Sequence, residues 1–153
     1  MTSTDVQPGP ALAHRDDVPD GSATGIDAML ARARAELDRL GPEAAAAAAA
    51  DGAVLVDIRP QAQRRREGEI PDALIIERNV LEWRFDPTHP ARLGIATHGL
   101  EVIVFCSEGY TSSLAAASLQ QIGLPHATDM DGGFVAWRAA GLPTVPGGRP
   151  ADG

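Results

Sequence analysis

The one cysteine of the chain, Cys106, closes the apolar run Glu101–Phe105 and is followed at once by Ser107-Glu108-Gly109-Tyr110, then by Thr111-Ser112-Ser113 at the start of a helical pattern. A segment that leaves a strand and immediately opens a helix turns several backbone N–H groups into one small bowl, and the helix dipole makes that bowl attractive to an anion. A thiolate is such an anion, and so is a persulfide. An ordinary cysteine titrates near 8.5, so about 3% is ionised at pH 7, and each unit of lowering needs about 1.4 kcal/mol of differential stabilisation. A ring of amide donors can supply that. Gly109 would permit positive φ and a close approach of backbone to sulfur, while Thr111, Ser112 and Ser113 offer hydroxyl donors and helix caps. A lone cysteine ending an apolar strand is more often a small buried hydrophobe. A core cysteine, however, has no need of a glycine-bearing loop and a helix start directly after it, so the pattern points to a nucleophile.

The elements that must position this loop follow from periodicity. Ala53–Arg59, Ala73–Glu77 and Glu101–Cys106 are short apolar runs of the kind expected from strands covered on both faces, and Ala127–Met130 reads as a last short strand. Between them lie helical patterns: Pro42–Ala50, Gln61–Glu67, a turn around Leu81–Arg84, Thr111–Ile122 stopped by Gly123, and Phe134–Ala140 closed by Gly141. Alternating strands and helices imply a three-layer α/β/α domain with a mostly parallel central sheet of about five strands, whose ligands bind beyond the carboxyl ends of the strands. Cys106 stands at such an end. Ahead of this unit, Ile26, Met29, Leu30, Ala33, Leu37 and Leu40 recur at helical spacing and predict an additional amphipathic helix over residues 25–41. Residues 1–24, rich in Pro, Gly, Asp and Ser, read as a disordered tail, residues 42–147 as the domain proper, and residues 148–153 as a frayed end.

Composition narrows the function. One thiol cannot make an internal disulfide, and the start of the chain shows no basic segment followed by an apolar run, so a cytoplasmic location is expected. The alanine run Ala44–Ala50 is too short to cross a bilayer. A net charge of −8 opposes binding to nucleic acid or to an anionic membrane. His14, His89, His98 and His126 lack metal-ligand spacing, so no metal is assigned.

At four places from about Gly41 to Gly147 the sequence resembles the single-domain rhodanese family. Val54-Leu55-Val56-Asp57-Ile58-Arg59 looks like the family's first strand motif, and Gly68-Glu69-Ile70-Pro71-Asp72-Ala73 is similar to its Gly-His-Ile-Pro-Gly-Ala turn, with two of the six residues different. Cys106-Ser107-Glu108-Gly109-Tyr110-Thr111-Ser112 resembles the active-site loop, and the stretch from Asp131-Gly132-Gly133 through Trp137 to Gly141-Leu142-Pro143 is similar to the C-terminal signature. The resemblance implies a sulfurtransferase in which Cys106 takes a sulfane sulfur from a small donor, holds it as a persulfide among the N–H groups of Ser107 to Ser112, and passes it to cyanide, a small thiol or a protein thiol. It implies no cofactor. It also implies that Asp57 and Arg59 brace the loop from behind.

The loop departs from the family in charge. Where many members carry an arginine just before the final serine, this chain has Thr111, and Glu108 places an anion two residues from the sulfur, which disfavours dianionic thiosulfate. Arg78 and Arg84 are candidates to supply the missing cation, and Trp83 to line the pocket mouth, against the ordinary reading of solvated arginines and a core tryptophan. Arg64-Arg65-Arg66 reads as a solvated helix face. Two rival functions stand behind sulfur transfer. A cysteine phosphatase or arsenate reductase needs an arginine six positions after the cysteine, where Ser112 stands. A binding or redox-sensing module of the same fold is the other.

Overall fold

A computed structural model of the chain describes residues 21–153. Most of the disordered tail expected at the N-terminus therefore lies outside the described residues. The element order is α1 (Ile26–Ala35), α2 (Pro42–Ala50), β1 (Val54–Asp57), α3 (Gln61–Glu67), β2 (Leu74–Ile75), a 3-10 turn (Arg78–Val80), α4 (Leu81–Phe85), β3 (Val102–Phe105), α5 (Thr111–Gln121), β4 (Thr128–Asp129) and α6 (Gly133–Ala139).

The strands form one parallel sheet in the order β2-β1-β3-β4, with Val56 beside both Leu74 and Val104. Side chains alternate across it. Val56, Val102, Val104 and Cys106 face a cluster completed by Leu81, Phe85, Ala115, Ala116 and Leu119, under α4 and α5. Leu55, Ile103 and Phe105 face the other way, toward Ala45 of α2 and Phe134 and Trp137 of α6. Burying each large apolar side chain on both faces contributes about 1.5–3 kcal/mol, which is why these runs are apolar throughout rather than alternating. The chain leaves β1 in one direction to form β2 and returns past it to form β3. The switch point, and the crevice that comes with it, therefore lies between the carboxyl ends of β1 and β3.

Four strands are present where about five were expected, and the fifth position is filled by a single residue. Leu40 makes an isolated parallel bridge to Met130, its N–H donating to Asp129 O and its carbonyl accepting from Asp131 N–H. The helix predicted over 25–41 consequently stops at Ala35, closed by bonds from Glu36 N–H to Ala33 O and Leu37 N–H to Arg34 O. The reason is competition: unwinding the last residues lets Leu37 enter the core and lets Leu40 satisfy the open edge of β4. Ile26 and Met29, expected on the buried stripe, remain exposed. The C-terminal residues differ from expectation as well. Rather than fraying, Asp152 exchanges bonds with Ile75, its N–H donating to Ile75 O and its carboxylate accepting from Ile75 N–H, so the tail covers the open edge of β2.

Candidate active site

Cys106 follows the last residue of β3, at the carboxyl-end switch point between β1 and β3. It is 7% exposed and closes the top of the apolar cluster under α5. Its Sγ accepts the N–H of Gly109 at 3.3 Å. Gly109 has φ +88°, and a Cβ there would lie 2.8 Å from Gly132 N, so the loop can fold back on the sulfur only with glycine at this position. The N–H groups of Ser107, Glu108, Tyr110, Thr111 and Ser112 have no acceptor among the described residues. Two of them, Thr111 and Ser112, are the first amides of α5, which no helix pairs internally, and all five are left available to water or an anion.

The loop is fastened from three sides. From below, α6 contributes its first amides: Phe134 N–H donates to Cys106 O at 2.9 Å and Val135 N–H to Ser107 O at 3.0 Å. Gly133 must be glycine for this approach, since a Cβ would sit 2.6 Å from both carbonyls. From the β1 side, Ser107 Oγ donates to Glu67 Oε1 at 2.9 Å. Glu67 also accepts from Arg59, which in turn holds both oxygens of Asp57 and the carbonyl of Gly68. Arg59 lies fully buried with its guanidinium 4.3 Å from the centre of the Phe134 ring. Burial works against its charge, but Asp57 and Glu67 outweigh that and hold its pKa above the ordinary value.

From the β4 side the anchor is Asp129, completely buried. It accepts from Ser112 Oγ at 2.7 Å, Ser113 Oγ at 2.8 Å and Arg39 Nε at 2.9 Å. The serine hydroxyls expected to face the sulfur thus turn to this carboxylate, and α5 begins without a side-chain cap. A buried anion requires several donors, and the two serines are the nearest. Arg39 Nη2 and Arg34 Nη2 both reach Gly109 O at 2.8 Å, and Arg34 lies over the ring of Tyr110 at 5.5 Å.

Glu108, Tyr110 and Thr111 are exposed along the outer rim of the loop. The three pocket candidates are not gathered there. Arg78 pairs with Glu82 at 2.9 Å, Trp83 is 54% exposed on α4, and Arg84 donates to Ala91 O. Glu82, held by Arg78, takes Ser118 Oγ of α5 at 2.6 Å, so this segment fastens α4 to α5. Arg64 is a correction to the solvated-face reading. It is 1% exposed and donates to Glu69, Arg59 O and Arg149 O, while Arg65 and Arg66 are exposed as expected. No group of three or more His, Cys, Asp or Glu suited to a metal ion occurs among the described residues. Among the same residues, no helix is long and apolar enough to cross a membrane. Sequence reasoning missed Glu67, Asp129, Arg34 and Arg39. Only Asp129 left a signal, a carboxylate ending a short strand as Asp57 does.

A single thiol at the switch point of a parallel sheet, backed by a loop of unpaired amides pinned to the following helix, defines a cysteine-loop α/β domain. A model of the rhodanese-like domain matches residues 41–140, and the chain belongs to that family. It is 36% identical over 106 residues to a thiosulfate sulfurtransferase GlpE of Pseudomonas savastanoi pv. phaseolicola, covering 68% of this chain and 90% of that one. A sulfurtransferase of Allochromatium vinosum is 34% identical over 92 residues, covering 60% of this chain and 78% of the other. Among solved structures, a protein of unknown function from Rhodopseudomonas palustris CGA009, described as a possible tyrosine phosphatase, superposes with a TM-score of 0.73. It is 35% identical, with 82% of this chain and 98% of that one covered.

Proposed function

We propose that this protein is a sulfurtransferase that carries a sulfane sulfur as a persulfide on Cys106. The observation that carries the reading is the thiol at the end of β3, bonded to Gly109 N–H and followed by five loop amides without acceptors. Such preorganised donors suit an anion that gains a second sulfur atom during turnover. The relatives named as sulfurtransferases support the same chemistry.

In the first half-reaction the Cys106 thiolate attacks the outer sulfur of the donor. The donor's S–S or C–S bond breaks and its electron pair leaves with the departing group, giving sulfite from thiosulfate, a thiolate from a persulfide, or the enolate of pyruvate, protonated afterwards, from 3-mercaptopyruvate. In the second, cyanide or a thiolate attacks the terminal sulfur of the persulfide. The bond between the two sulfurs breaks, and Cys106 recovers its electron pair. The loop amides carry the negative charge in between, while Asp57, Arg59 and Glu67 hold the loop in place and take no part in bond making. A cytoplasmic setting, with small donors and either small or protein thiols as acceptors, suits this cycle.

The cycle predicts ping-pong kinetics. Initial rates measured with thiosulfate, 3-mercaptopyruvate or glutathione persulfide against cyanide and thiol acceptors give parallel double-reciprocal lines for at least one donor. The similarity to a possible tyrosine phosphatase makes aryl phosphate hydrolysis the second activity to measure. Ser112 occupies the place of the phosphate-clamping arginine and is committed to Asp129, so none is expected. Phosphatase turnover without sulfur transfer overturns the proposal.

A further inference from the structure

We propose that Arg34, on the helix preceding the rhodanese-like domain, supplies the positive charge that the Cys106 loop itself lacks, and that Arg39 anchors it. Both are positioning residues acting through Gly109. This rests on the sulfur-transfer reading, because its purpose is to hold an anion at that loop.

Residues 106–112 contain no lysine or arginine, and their one charged side chain is Glu108. Two guanidinium groups nevertheless converge behind the loop, each donating to Gly109 O at 2.8 Å. Both come from residues outside the family match at 41–140. A carbonyl oxygen has two lone pairs, and two charged donors on it fix the orientation of the peptide that joins Gly109 to Tyr110. They also polarise it, so that the Tyr110 N–H, which has no acceptor among the described residues, becomes a stronger donor. The adjoining peptide is the one whose N–H, on Gly109, reaches Sγ.

The two arginines are not equivalent. Arg39 is more than compensated: its guanidinium pairs with buried Asp129 at 2.9 Å and with Asp131 at 3.2 Å, two carboxylates against one cation. Arg34 pairs with no carboxylate among the described residues. It donates to Ser113 Oγ at 3.0 Å and to Gly109 O, and covers the Tyr110 ring. Partial burial, and then the neighbouring Arg39, lower its pKa, with Asp129 and Asp131 acting in the opposite direction, and the guanidinium remains charged throughout the working range. Arg39 with its two aspartates is a fixed strut. Arg34 brings the four groups to neutrality, and without it the back of the loop would carry a net negative charge.

The test reads charge at the thiol without any sulfur donor. Cys106 is alkylated with anionic iodoacetate and with neutral iodoacetamide, and the ratio of the two rates cancels accessibility and thiol ionisation. Arg34→Gln is expected to lower the iodoacetate-to-iodoacetamide ratio about threefold at low salt, and Arg34→Lys to retain most of it. Arg39→Gln, which leaves Asp129 and Asp131 uncompensated, is expected to lower the ratio as well and, unlike Arg34→Gln, to lower the unfolding midpoint because buried Asp129 loses its ion pair. If Arg34→Gln does not fold, the salt dependence of the ratio in Glu108→Gln, where the opposing loop charge is gone, decides: it falls as ionic strength rises if Arg34 acts by charge. An unchanged ratio in folded Arg34→Gln, or a Glu108→Gln ratio indifferent to salt, overturns the inference. A wild-type chain that alkylates with this charge bias yet transfers no sulfur overturns the proposed function instead.

Discussion

Ser107 donates its hydroxyl to Glu67 Oε1 over 2.9 Å, so the residue next to Cys106 is tied to the charged network at the end of β1. The same oxygen accepts from Arg59 at 3.0 Å, and Arg59 spans Asp57, Glu67 and Gly68 O. Loop position is thereby set by a buried arginine that never touches sulfur. Each of its three nitrogens has a fixed partner, the condition under which a buried charge can be retained at all.

Asp57→Ala leaves Arg59 buried with one carboxylate partner instead of two. The expected cost is about 3 kcal/mol of stability, read as a lower urea midpoint with an unchanged slope. Ser107→Ala removes one hydrogen bond to a charged acceptor, and a loss of about 1–2 kcal/mol is expected by the same measurement.

Gly133→Ala tests the seam between the loop and α6. Its Cβ would sit 2.6 Å from Cys106 O and Ser107 O, so the loop has to lift from the helix. About 2 kcal/mol of destabilisation is expected, with roughly a tenfold drop in kcat/KM from misplaced donors. Wild-type kinetics in this variant would show that the seam does not govern the loop.

Glu108 is exposed two residues from Cys106, and its charge would oppose a dianionic donor at the proposed site. Glu108→Lys should therefore lower KM for thiosulfate several-fold at low salt, with a smaller effect on an uncharged donor. An equal change for both donors would place the side chain away from the approach path.

Acid stability follows from Glu67 and Glu69. Burial acts to raise both pKa values, but Ser107 and Arg59 at Glu67, and Gly148 N–H and Arg64 at Glu69, outweigh it and hold both carboxyls below the ordinary range. A depressed folded-state pKa gives stability that is present above the unfolded value and is lost as pH falls through the folded one. Unfolding midpoints should thus decline below about pH 4.5. In Glu69→Gln the decline should be shallower, from a lower starting stability at neutral pH.

The fold was legible because its signals are local. Apolar β-branched runs marked β1 and β3, and Gly123 and Gly141 marked the helix ends, all within a few residues of the elements they define. The nucleophile loop was legible for the same reason, since Cys106 through Ser112 are contiguous. What sequence could not supply was partner choice across the fold. Arg39 meets Asp129 across 90 positions, and Ser107 meets Glu67 across 40. Arg64 shows the limit most plainly. Within a run of three arginines it alone turns inward, because Glu69 and the returning C-terminal segment provide it with acceptors.

The most direct measurement is the intact mass of the protein after incubation with a sulfur donor. Wild-type chain is expected to gain the mass of one sulfur atom, to lose it on addition of cyanide or a thiol, and to show no gain in Cys106→Ser. No gain with thiosulfate, 3-mercaptopyruvate or glutathione persulfide, or a gain that persists in Cys106→Ser, would contradict the assignment.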